Sequence, residues 1–376
     1  MSNNLYMDSK NKKCSPLLAM LLNGLALGAV LVCSSGQAAA MDLGSEEKEA
    51  EKSANVLSVE GGGTRAIMPL VFLSKVEEEA ERQTGKPTPV CKIFDLMAGS
   101  SIGGTVVAGL TLPSKIDHNQ PMFTATQMLQ NFENEVPNLF QSQCSLWGLL
   151  GPKYKSSGPL DVAERTFGDA TFDKSLTRTM IPAFNLESNQ TVIFKSWKPA
   201  RSCFHTGDIV QGTGAAPTYF SPYEMSATNG SVEYRLVDGG VSANVPDQSA
   251  MIEAEKIFGC NPKHLLVSLG TGEIAKSYDE KTYRKAGIIT WALSLKDLFL
   301  DGQRSLSDYS MKYQYGDRYS RWSPTITIAN AAIDNYAPDA LQYYKKATLD
   351  MINKDGGNDF KALVTRLLKN RGLLSK

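Results

Sequence analysis

The chain has 376 residues, 42% hydrophobic and 21% charged, a composition typical of globular proteins and not of disordered ones. Lysine plus arginine and aspartate plus glutamate both number 39, so the formal net charge is zero. No basic excess indicates a nucleic-acid partner, and no acidic excess would repel a phospholipid surface. We therefore expect no nucleic acid among the partners, and charge alone names no other.

The first 40 residues have the pattern of an export signal. Lys10, Lys12 and Lys13 precede an apolar run over residues 17–32, and small residues suited to cleavage follow over 36–40. We expect cleavage there and export beyond the cytoplasmic membrane, to the periplasm or the medium. The alternative is a membrane anchor, although the run is shorter than the ~20 residues that span a bilayer. Lipidation at Cys33 is a further alternative, but no small residue precedes it.

Four cysteines would remain in the exported chain: Cys91, Cys144, Cys203 and Cys260. Disulfides can form in such a compartment, so paired and free thiols both stay open. None of the four has CxxC spacing, and we expect neither a metal nor a cofactor.

Residues 41–54 are rich in Glu, Lys and Ser and predict a solvated linker before a domain over 55–350. An apolar run at 56–59, three glycines and helical periodicity over 67–83 predict a strand, a tight turn and a helix. A second such unit has its strand at 93–97 and its helix at 102–112. Two such units predict parallel strands with right-handed crossovers in an α/β layer fold. Further strands are expected at 180–185, 191–197, 234–237 and 265–269.

Two other regions each allow two interpretations. Residues 114–169 predict a helix and long loops, which would form a lid or one wall of a cleft. In the C-terminal segment, residues 351–376, apolar side chains recur at helical spacing and basic ones lie mostly on the other faces. This helix would either pack on the domain or rest on an anionic membrane. Its apolar residues are Phe360, Leu363, Val364, Leu367 and Leu368.

The second strand-to-helix turn contains a GxSxG motif, with Gly99 and Gly103 on either side of Ser101. Such a turn exposes the serine hydroxyl and directs a helix N-terminus at a developing oxyanion. Ser100 lacks this spacing of glycines. We therefore expect Ser101 to be a nucleophile.

A serine nucleophile needs a base, and histidine is the usual one. The chain has only three histidines. His118 lies in a polar loop, His205 precedes a helix and His264 opens a strand, so each is expected to be structural.

Asp238 is the better candidate for the base. It follows an apolar strand and precedes Gly239 and Gly240, which give the backbone freedom to approach a neighbour. An aspartate with an ordinary pKa is a weak base, so it must be partly desolvated and within hydrogen-bond reach of the hydroxyl. The alternative is an aspartate that merely begins a turn.

The first glycine turn reads Gly61-Gly62-Gly63-Thr64-Arg65, and its backbone N–H groups are suited to binding an anion. The turn also matches a dinucleotide-binding fingerprint. That fingerprint requires an acid at the end of the next strand. The acids near that position fall inside the predicted helix instead, which disfavours a nucleotide, and no Walker P-loop sequence is present.

These elements together resemble the patatin-like phospholipase family, which combines a glycine loop with arginine, a GxSxG motif and Asp-Gly-Gly or Asp-Gly-Ala in that order. Further similarity to the plant-type branch extends from residue 56 to at least 347. The resemblance implies a three-layer α/β/α sandwich with a mainly parallel central sheet. It also implies a calcium-independent lipid acyl hydrolase with a Ser101–Asp238 dyad, so that no catalytic histidine is needed. The Gly61, Gly62 and Gly63 amides would hold the oxyanion, and Arg65, after Thr64, would fix the loop or face a phosphate.

The chain departs from the family pattern at two positions beside the glycine loop. Glu60 replaces the usual aspartate, and Ala66 replaces the usual glycine. Asn185 also stands where the plant branch tends to have an acid. The expected substrate is a phospholipid or other glycerolipid at a membrane or micelle surface, and an activating partner and the oligomeric state stay open. The departures leave a second hypothesis: a catalytically weak or inactive protein that binds lipid or a partner on the same fold.

Overall fold

The computed structural model of the protein describes residues 52–142, 151–198, 204–226, 232–261, 263–274, 280 and 284–375. The predicted signal, most of the predicted linker, Cys144 and Cys203 lie outside these ranges. Cys91 is a buried free thiol and Cys260 an exposed one.

Eight strands form one mixed sheet in the order β5-β6-β3-β2-β1-β7-β9, with β4 paired to β3, and a separate pair joins β8 to β10. The run from β3 through β2, β1 and β7 to β9 is parallel, whereas β4, β5 and β6 are antiparallel to their neighbours. The strands are β1 (Asn55–Val59), β2 (Leu96–Gly99), β3 (Arg178–Asn185), β4 (Gln190–Lys195), β5 (Tyr223–Ser226), β6 (Val232–Val237), β7 (Leu265–Leu269), β8 (Glu273–Ile274), β9 (Tyr319–Trp322) and β10 (Thr325–Ile326).

Helices cover both faces of the sheet because the central strands are apolar on both sides. Leu57 and Val59 of β1 pack in one core, while Val56 packs in a second core against the other face. The predicted three-layer α/β/α sandwich is therefore confirmed. The helices are α1 (Ile67–Thr84), α2 (Val90–Ile93), α3 (Ile102–Thr111), α4 (Ala125–Leu139), α5 (Ser157–Phe167), α6 (Thr206–Gly214), α7 (Gly240–Ala243), α8 (Asp247–Phe258), α9 (Ile288–Tyr315), α10 (Pro338–Ile352) and α11 (Asn358–Asn370).

The second predicted strand, at 93–97, begins too early. Residues Val90–Ile93 form the short helix α2, and β2 starts only at Leu96. Between them, the Asp95 carboxylate accepts a hydrogen bond from the Asn55 N–H at 2.9 Å, so this residue caps the neighbouring strand instead of extending its own. In the less regular region, residues 114–142 and 151–169 are described and contain two helices, α4 and α5, where a single helix was expected.

The C-terminal helix α11 packs on the domain. Phe360, Val364, Leu367 and Leu368 are at most 5% exposed and belong to the larger core. The packing interpretation of the C-terminal segment is therefore confirmed, and the apolar side of this helix is not free to enter a membrane. None of the helices in the described ranges is long and apolar enough to cross a bilayer.

Candidate active site

The Ser101 turn joins a strand to a helix with a strained backbone. Ser101 follows β2 directly after Ser100, precedes α3 and has a φ of 54° and a ψ of −130°, which is unusual for a residue with a side chain. A Cβ added at Gly99 would overlap the Gly103 carbonyl, and one added at Gly103 would crowd the Val59 carbonyl. The two motif glycines are thus required by close backbone packing around the serine.

The structure brings Ser101 and Asp238 together, 137 positions apart in the chain. Ser101 Oγ donates a hydrogen bond to Asp238 Oδ2 at 2.6 Å, and the Gly240 N–H donates to Asp238 Oδ1, also at 2.6 Å. Asp238 approaches from β6, which runs antiparallel to β3. A side chain on Gly239 would clash with the Pro182 carbonyl, so this glycine lets the aspartate loop lie against β3.

Asp238 is 6% exposed, and burial raises its pKa to about 6. The hydrogen bonds from Ser101 and from the Gly240 N–H oppose this rise in the pKa because they stabilise the charged carboxylate. The carboxyl group is therefore a stronger base than an exposed aspartate, yet still ionised at neutral pH. Such a group can accept a proton from the serine hydroxyl that it contacts.

Thr213, at the end of α6, holds the serine turn and the aspartate loop together. The Ser101 N–H donates to Thr213 Oγ1 at 2.9 Å, and Thr213 Oγ1 donates to the Pro182 carbonyl at 2.6 Å. The Gly239 N–H donates to the Thr213 carbonyl at 3.1 Å. The sequence gives no specific signal for this role, since Thr213 is a threonine between two glycines.

The glycine loop lies beside Ser101. A Cβ built on Gly61 would come within 2.9 Å of Ser101 Cβ, so the loop and Ser101 are in contact. The Gly61 N–H donates to the Asn244 carbonyl at 3.1 Å, whereas the Gly62 and Gly63 N–H groups have no acceptor among the described residues. Of the three predicted oxyanion donors, Gly61 therefore already donates its N–H within the protein, whereas the Gly62 and Gly63 N–H groups remain available to an oxyanion.

Thr64 and Arg65 continue the loop as buried residues of a short 3-10 helix. Arg65 is 4% exposed, and its Nε lies 3.4 Å from the Gly62 carbonyl to which it donates. Burial lowers the pKa of its guanidinium, while the nearby Glu60 carboxylate raises it. Of the two expected roles of Arg65, the contact with Gly62 fits that of fixing the loop. Ala66 ends the 3-10 helix and is fully buried.

Glu60 links the glycine loop to two distant cations. Arg304 donates to Glu60 Oε1 at 2.8 and 2.9 Å, and Arg321 donates to Glu60 Oε2 at 2.8 Å. Burial alone would raise the pKa of Glu60, but the two guanidinium groups together hold it below its usual value. The residue that departs from the family pattern is thus paired with two arginines at the base of the loop.

The three histidines lie in other surroundings, and none hydrogen-bonds to Ser101 or Asp238. His264 Nδ1 accepts the Ala54 N–H at 2.9 Å, and His264 Nε2 contacts the Gly259 carbonyl at 2.6 Å. His205 Nδ1 lies 3.3 Å from the Asp169 carbonyl, and His118 is exposed. Within the described ranges, no three His, Cys, Asp or Glu side chains are grouped as metal ligands would be.

A mostly apolar cavity opens next to Ser101. It is bounded by α3, α4, α5 and α6, and two of its wall residues, Ile102 and Gly214, are the immediate neighbours of Ser101 and Thr213. Its volume of about 60 Å³ is smaller than the ~150 Å³ that holds a benzene ring. Other wall residues are Met128, Phe132, Leu139, Val162, Phe167 and Val210.

The fold and this geometry define an α/β protein with a serine hydroxyl on a strained strand-to-helix turn and an aspartate as its hydrogen-bond partner. Comparison with known proteins agrees with the resemblance seen in the sequence. The family model described as "Patatin-like phospholipase" matches residues 57–251, and the chain belongs to this family. Membership supports a function in lipid hydrolysis.

Plant proteins are among the similar relatives. "Patatin-like protein 2" of Oryza sativa is 31% identical over 70% of this chain and 73% of its own length. "Patatin-like protein 1" of Arabidopsis thaliana is 29% identical over 84% and 81%, and "Patatin group M-2" of Solanum tuberosum 29% identical over 72% and 75%. VipD from Legionella pneumophila aligns over 79% of this chain and 67% of that chain at 15% identity and a TM-score of 0.30, too low a similarity to bear on the site.

Proposed function

We propose that this protein hydrolyses acyl esters of phospholipids or related glycerolipids through an acyl-enzyme on Ser101, with Asp238 as the base. The observation that carries the proposal is the 2.6 Å hydrogen bond from Ser101 Oγ to the buried Asp238 carboxylate, on a strained turn beside the glycine loop. Family membership supports the lipid part of the proposal.

In the first half of the reaction, Ser101 Oγ attacks the ester carbonyl carbon and its proton passes to Asp238. The negative charge on the carbonyl oxygen would be held by the Gly62 and Gly63 N–H groups. The tetrahedral intermediate then collapses, the bond to the lipid alcohol breaks, and Asp238 returns its proton to the departing oxygen. This leaves the acyl group esterified to Ser101.

In the second half, water takes the place of the alcohol. Asp238 accepts a proton from this water, the resulting hydroxide attacks the acyl carbon, and the bond to Ser101 Oγ breaks. The proton returns to the serine and the fatty acid leaves. A two-residue mechanism suffices because the same carboxylate serves as base and then as acid in each half.

The cavity beside Ile102 would receive the start of the acyl chain. Its apolar walls favour hydrocarbon over water. Because its volume is only about 60 Å³, a long acyl chain would require the side chains between α4 and α6 to move, or would continue along the open surface.

Ser101→Ala and Asp238→Asn should each abolish fatty-acid release from phospholipid micelles. Burial raises the pKa of Asp238, so the ionised carboxylate costs folding stability at neutral pH, and Asp238→Asn removes this cost. We therefore expect the melting temperature of Asp238→Asn to be no lower than that of the wild type, which separates loss of catalysis from loss of folding. Wild-type activity in either variant would refute the dyad.

The second hypothesis is a weak or inactive protein that binds lipid or a partner. Labelling with a fluorophosphonate distinguishes it from the proposed acyl hydrolase. An activated Ser101 reacts, and the label should be lost in Ser101→Ala. A folded wild-type protein that takes no label and releases no fatty acid would support the binding protein.

A further inference from the structure

The long helix α9 exposes a row of large apolar side chains that lies outside the core. Of the fourteen large hydrophobic side chains that are exposed in the described ranges, six lie on this one helix. Their exposed fractions range from 39% to 85%. These six residues form what we call the apolar stripe: Trp291, Leu295, Phe299, Leu306, Tyr309 and Tyr313.

The six side chains share one face of the helix. At about 100° per residue they fall within an arc of about 80°, and residues 291–313 span about 33 Å along the axis. The opposite face packs inward, because Met311 is 1% exposed and Tyr315 Oη donates to Glu255 of α8 at 3.0 Å. The helix is thus held to the domain on one side and leaves a continuous apolar row on the other, the kind of surface that marks an interaction site.

The same helix contacts both loops of the candidate active site. Gln303 accepts the Asn244 N–H at 3.0 Å and donates to the Gly240 carbonyl at 3.2 Å, and Gly240 in turn binds Asp238. Arg304 pairs with Glu60 at the base of the glycine loop. Val241, three residues after Asp238, is itself 45% exposed, and its carbonyl lies 3.4 Å from the Gln303 side-chain amide of α9.

The charges on α9 indicate what kind of surface would cover the stripe. The helix carries three cations and three acids, so it has no net charge. Arg304 pairs with Asp301 at 2.8 Å, and Lys312 with Asp308 at 2.7 Å. An anionic surface would gain little from such a helix, whereas a zwitterionic headgroup layer is complementary to it. Tryptophan and tyrosine are also the side chains enriched where hydrocarbon meets headgroups.

We propose that the apolar stripe of α9 is the surface by which the protein sits on a zwitterionic phospholipid layer, with its active site facing the lipid. The inference rests on the proposed function, since a lipid hydrolase takes its substrate from such a layer. The aliphatic and aromatic side chains would enter the boundary between headgroups and acyl chains, as amphipathic helices do. Docking there would hold the loops that carry Asp238 and the glycines near the lipid surface, since both loops contact the same helix.

The test measures binding to phosphatidylcholine vesicles by co-sedimentation, with the full chain carrying Ser101→Ala so that the lipid stays intact. Adding Leu306→Gln and Tyr309→Gln should lower the partition coefficient by about tenfold or more, since two large apolar side chains leave the interface. The matched control adds Ile116→Gln and Leu176→Gln. These residues are 98% and 37% exposed and lie beyond the far end of α3, away from Ser101. The control should bind within about twofold of the parent, because its substitutions lie outside the stripe.

Thermal unfolding confirms that each variant is folded. Binding by the stripe variant equal to that of the parent would overturn the inference, as would a parent that does not bind the vesicles. Sedimentation velocity tests the alternative that a second copy of the chain packs on the stripe. If the parent is a dimer that Leu306→Gln and Tyr309→Gln dissociate, and vesicle binding is unchanged, the stripe is a contact between copies and the inference is overturned.

The wild type is assayed in parallel on a water-soluble short-chain ester. Hydrolysis of that ester without stripe-dependent vesicle binding refutes the inference and leaves the proposed function standing. Stripe-dependent binding without hydrolysis of any ester refutes the proposed function and leaves a protein that binds lipid through α9.

Discussion

Asp238 differs from an ordinary aspartate in both its burial and its partners. Its carboxylate receives hydrogen bonds from Ser101 and from the Gly240 N–H, yet burial still raises its pKa to about 6. The hydrogen bonds keep the charged form available at neutral pH, and burial makes that form a better base. This balance at a single residue sets the pH range in which the proposed mechanism operates.

The activity should therefore decline on the acid side of neutrality. Below about pH 6, Asp238 becomes protonated and cannot accept the Ser101 proton. We expect kcat/KM on a soluble ester to fall about tenfold per pH unit below this value and to be flat just above it. Initial rates between pH 4.5 and 8, with folding followed by circular dichroism, test this. A rate that stays constant down to pH 4.5 would argue against Asp238 as the base.

Thr213 is a positioning residue that acts through Ser101. Thr213→Val removes the acceptor of the Ser101 N–H and leaves the Pro182 carbonyl without its donor. One buried hydrogen-bond partner is worth about 1–3 kcal/mol, so kcat should fall about tenfold or more with little change in KM. Thr213→Ser keeps the oxygen and should restore most of kcat. A serine variant as impaired as the valine variant would assign the loss to packing instead.

At the scale of elements, Glu60 joins three segments that are far apart in the chain. It follows β1, and its partners Arg304 and Arg321 belong to α9 and β9. All three side chains are at most 12% exposed, so the pairs are shielded from solvent. The departure from the family pattern at position 60 therefore coincides with an ion-pair network that fixes the base of the glycine loop.

Glu60→Gln should lower the free energy of unfolding by about 3 kcal/mol, because it removes the buried counter-charge that Arg304 and Arg321 share. The two arginines would keep only their pairs with the more exposed Asp301 and Glu273. The pKa of Glu60 is lower in the folded protein than in the unfolded chain. The ionised carboxylate therefore stabilises the fold above the unfolded-state pKa, and this stabilisation is lost as the pH falls through the folded-state pKa. The difference in the free energy of unfolding between the wild type and Glu60→Gln should narrow below about pH 4.5. Urea unfolding at neutral and acid pH measures it.

The control for this prediction is an exposed ion pair. Glu78 pairs with Lys75 on the surface of α1, with side chains 68% and 39% exposed. Glu78→Gln should cost less than about 1 kcal/mol. Equal effects of Glu60→Gln and Glu78→Gln would mean that the buried network contributes no more than a surface pair.

At the scale of the whole molecule, the last helix is tied to the first strand. The Asn55 side chain donates to the Leu367 carbonyl at 2.9 Å, and Asn370 donates to the Asn55 side chain at 2.7 Å. Arg371 also pairs with Asp95 at 2.6 Å. The described chain thus closes on itself at the end of the sheet where β1 begins, whereas Ser101 follows the end of β2.

Leu367→Ala should destabilise the protein by about 2–5 kcal/mol, because the side chain is fully buried and its removal leaves a cavity. Leu363 on the same helix is only partly buried, so Leu363→Ala should lower the free energy of unfolding by clearly less than Leu367→Ala does. Urea unfolding compares the two. If Leu367→Ala instead left stability unchanged and weakened binding to vesicles, α11 would be a membrane-binding helix and the packing seen here would not hold in solution.

The sequence by itself determined the fold class and the candidate dyad. Ser101 lies in a GxSxG turn and Asp238 precedes two glycines, and both signals depend on turn chemistry within about five residues. The apolar runs likewise placed β1 and β7 with boundaries close to those observed, because strand periodicity is local. The resemblance to the patatin-like family joined these local signals into one site before any contact was known.

Only the tertiary structure decided which distant groups complete that site. Glu60 meets Arg304 and Arg321 across 244 and 261 positions of the chain, and Thr213 meets Ser101 across 112. The order of strands in the sheet sets these contacts, and no local pattern encodes that order. The same holds for the apolar stripe of α9. Its periodicity would fit a buried face equally well, and only the packing of the other helices leaves it exposed beside the proposed catalytic loops.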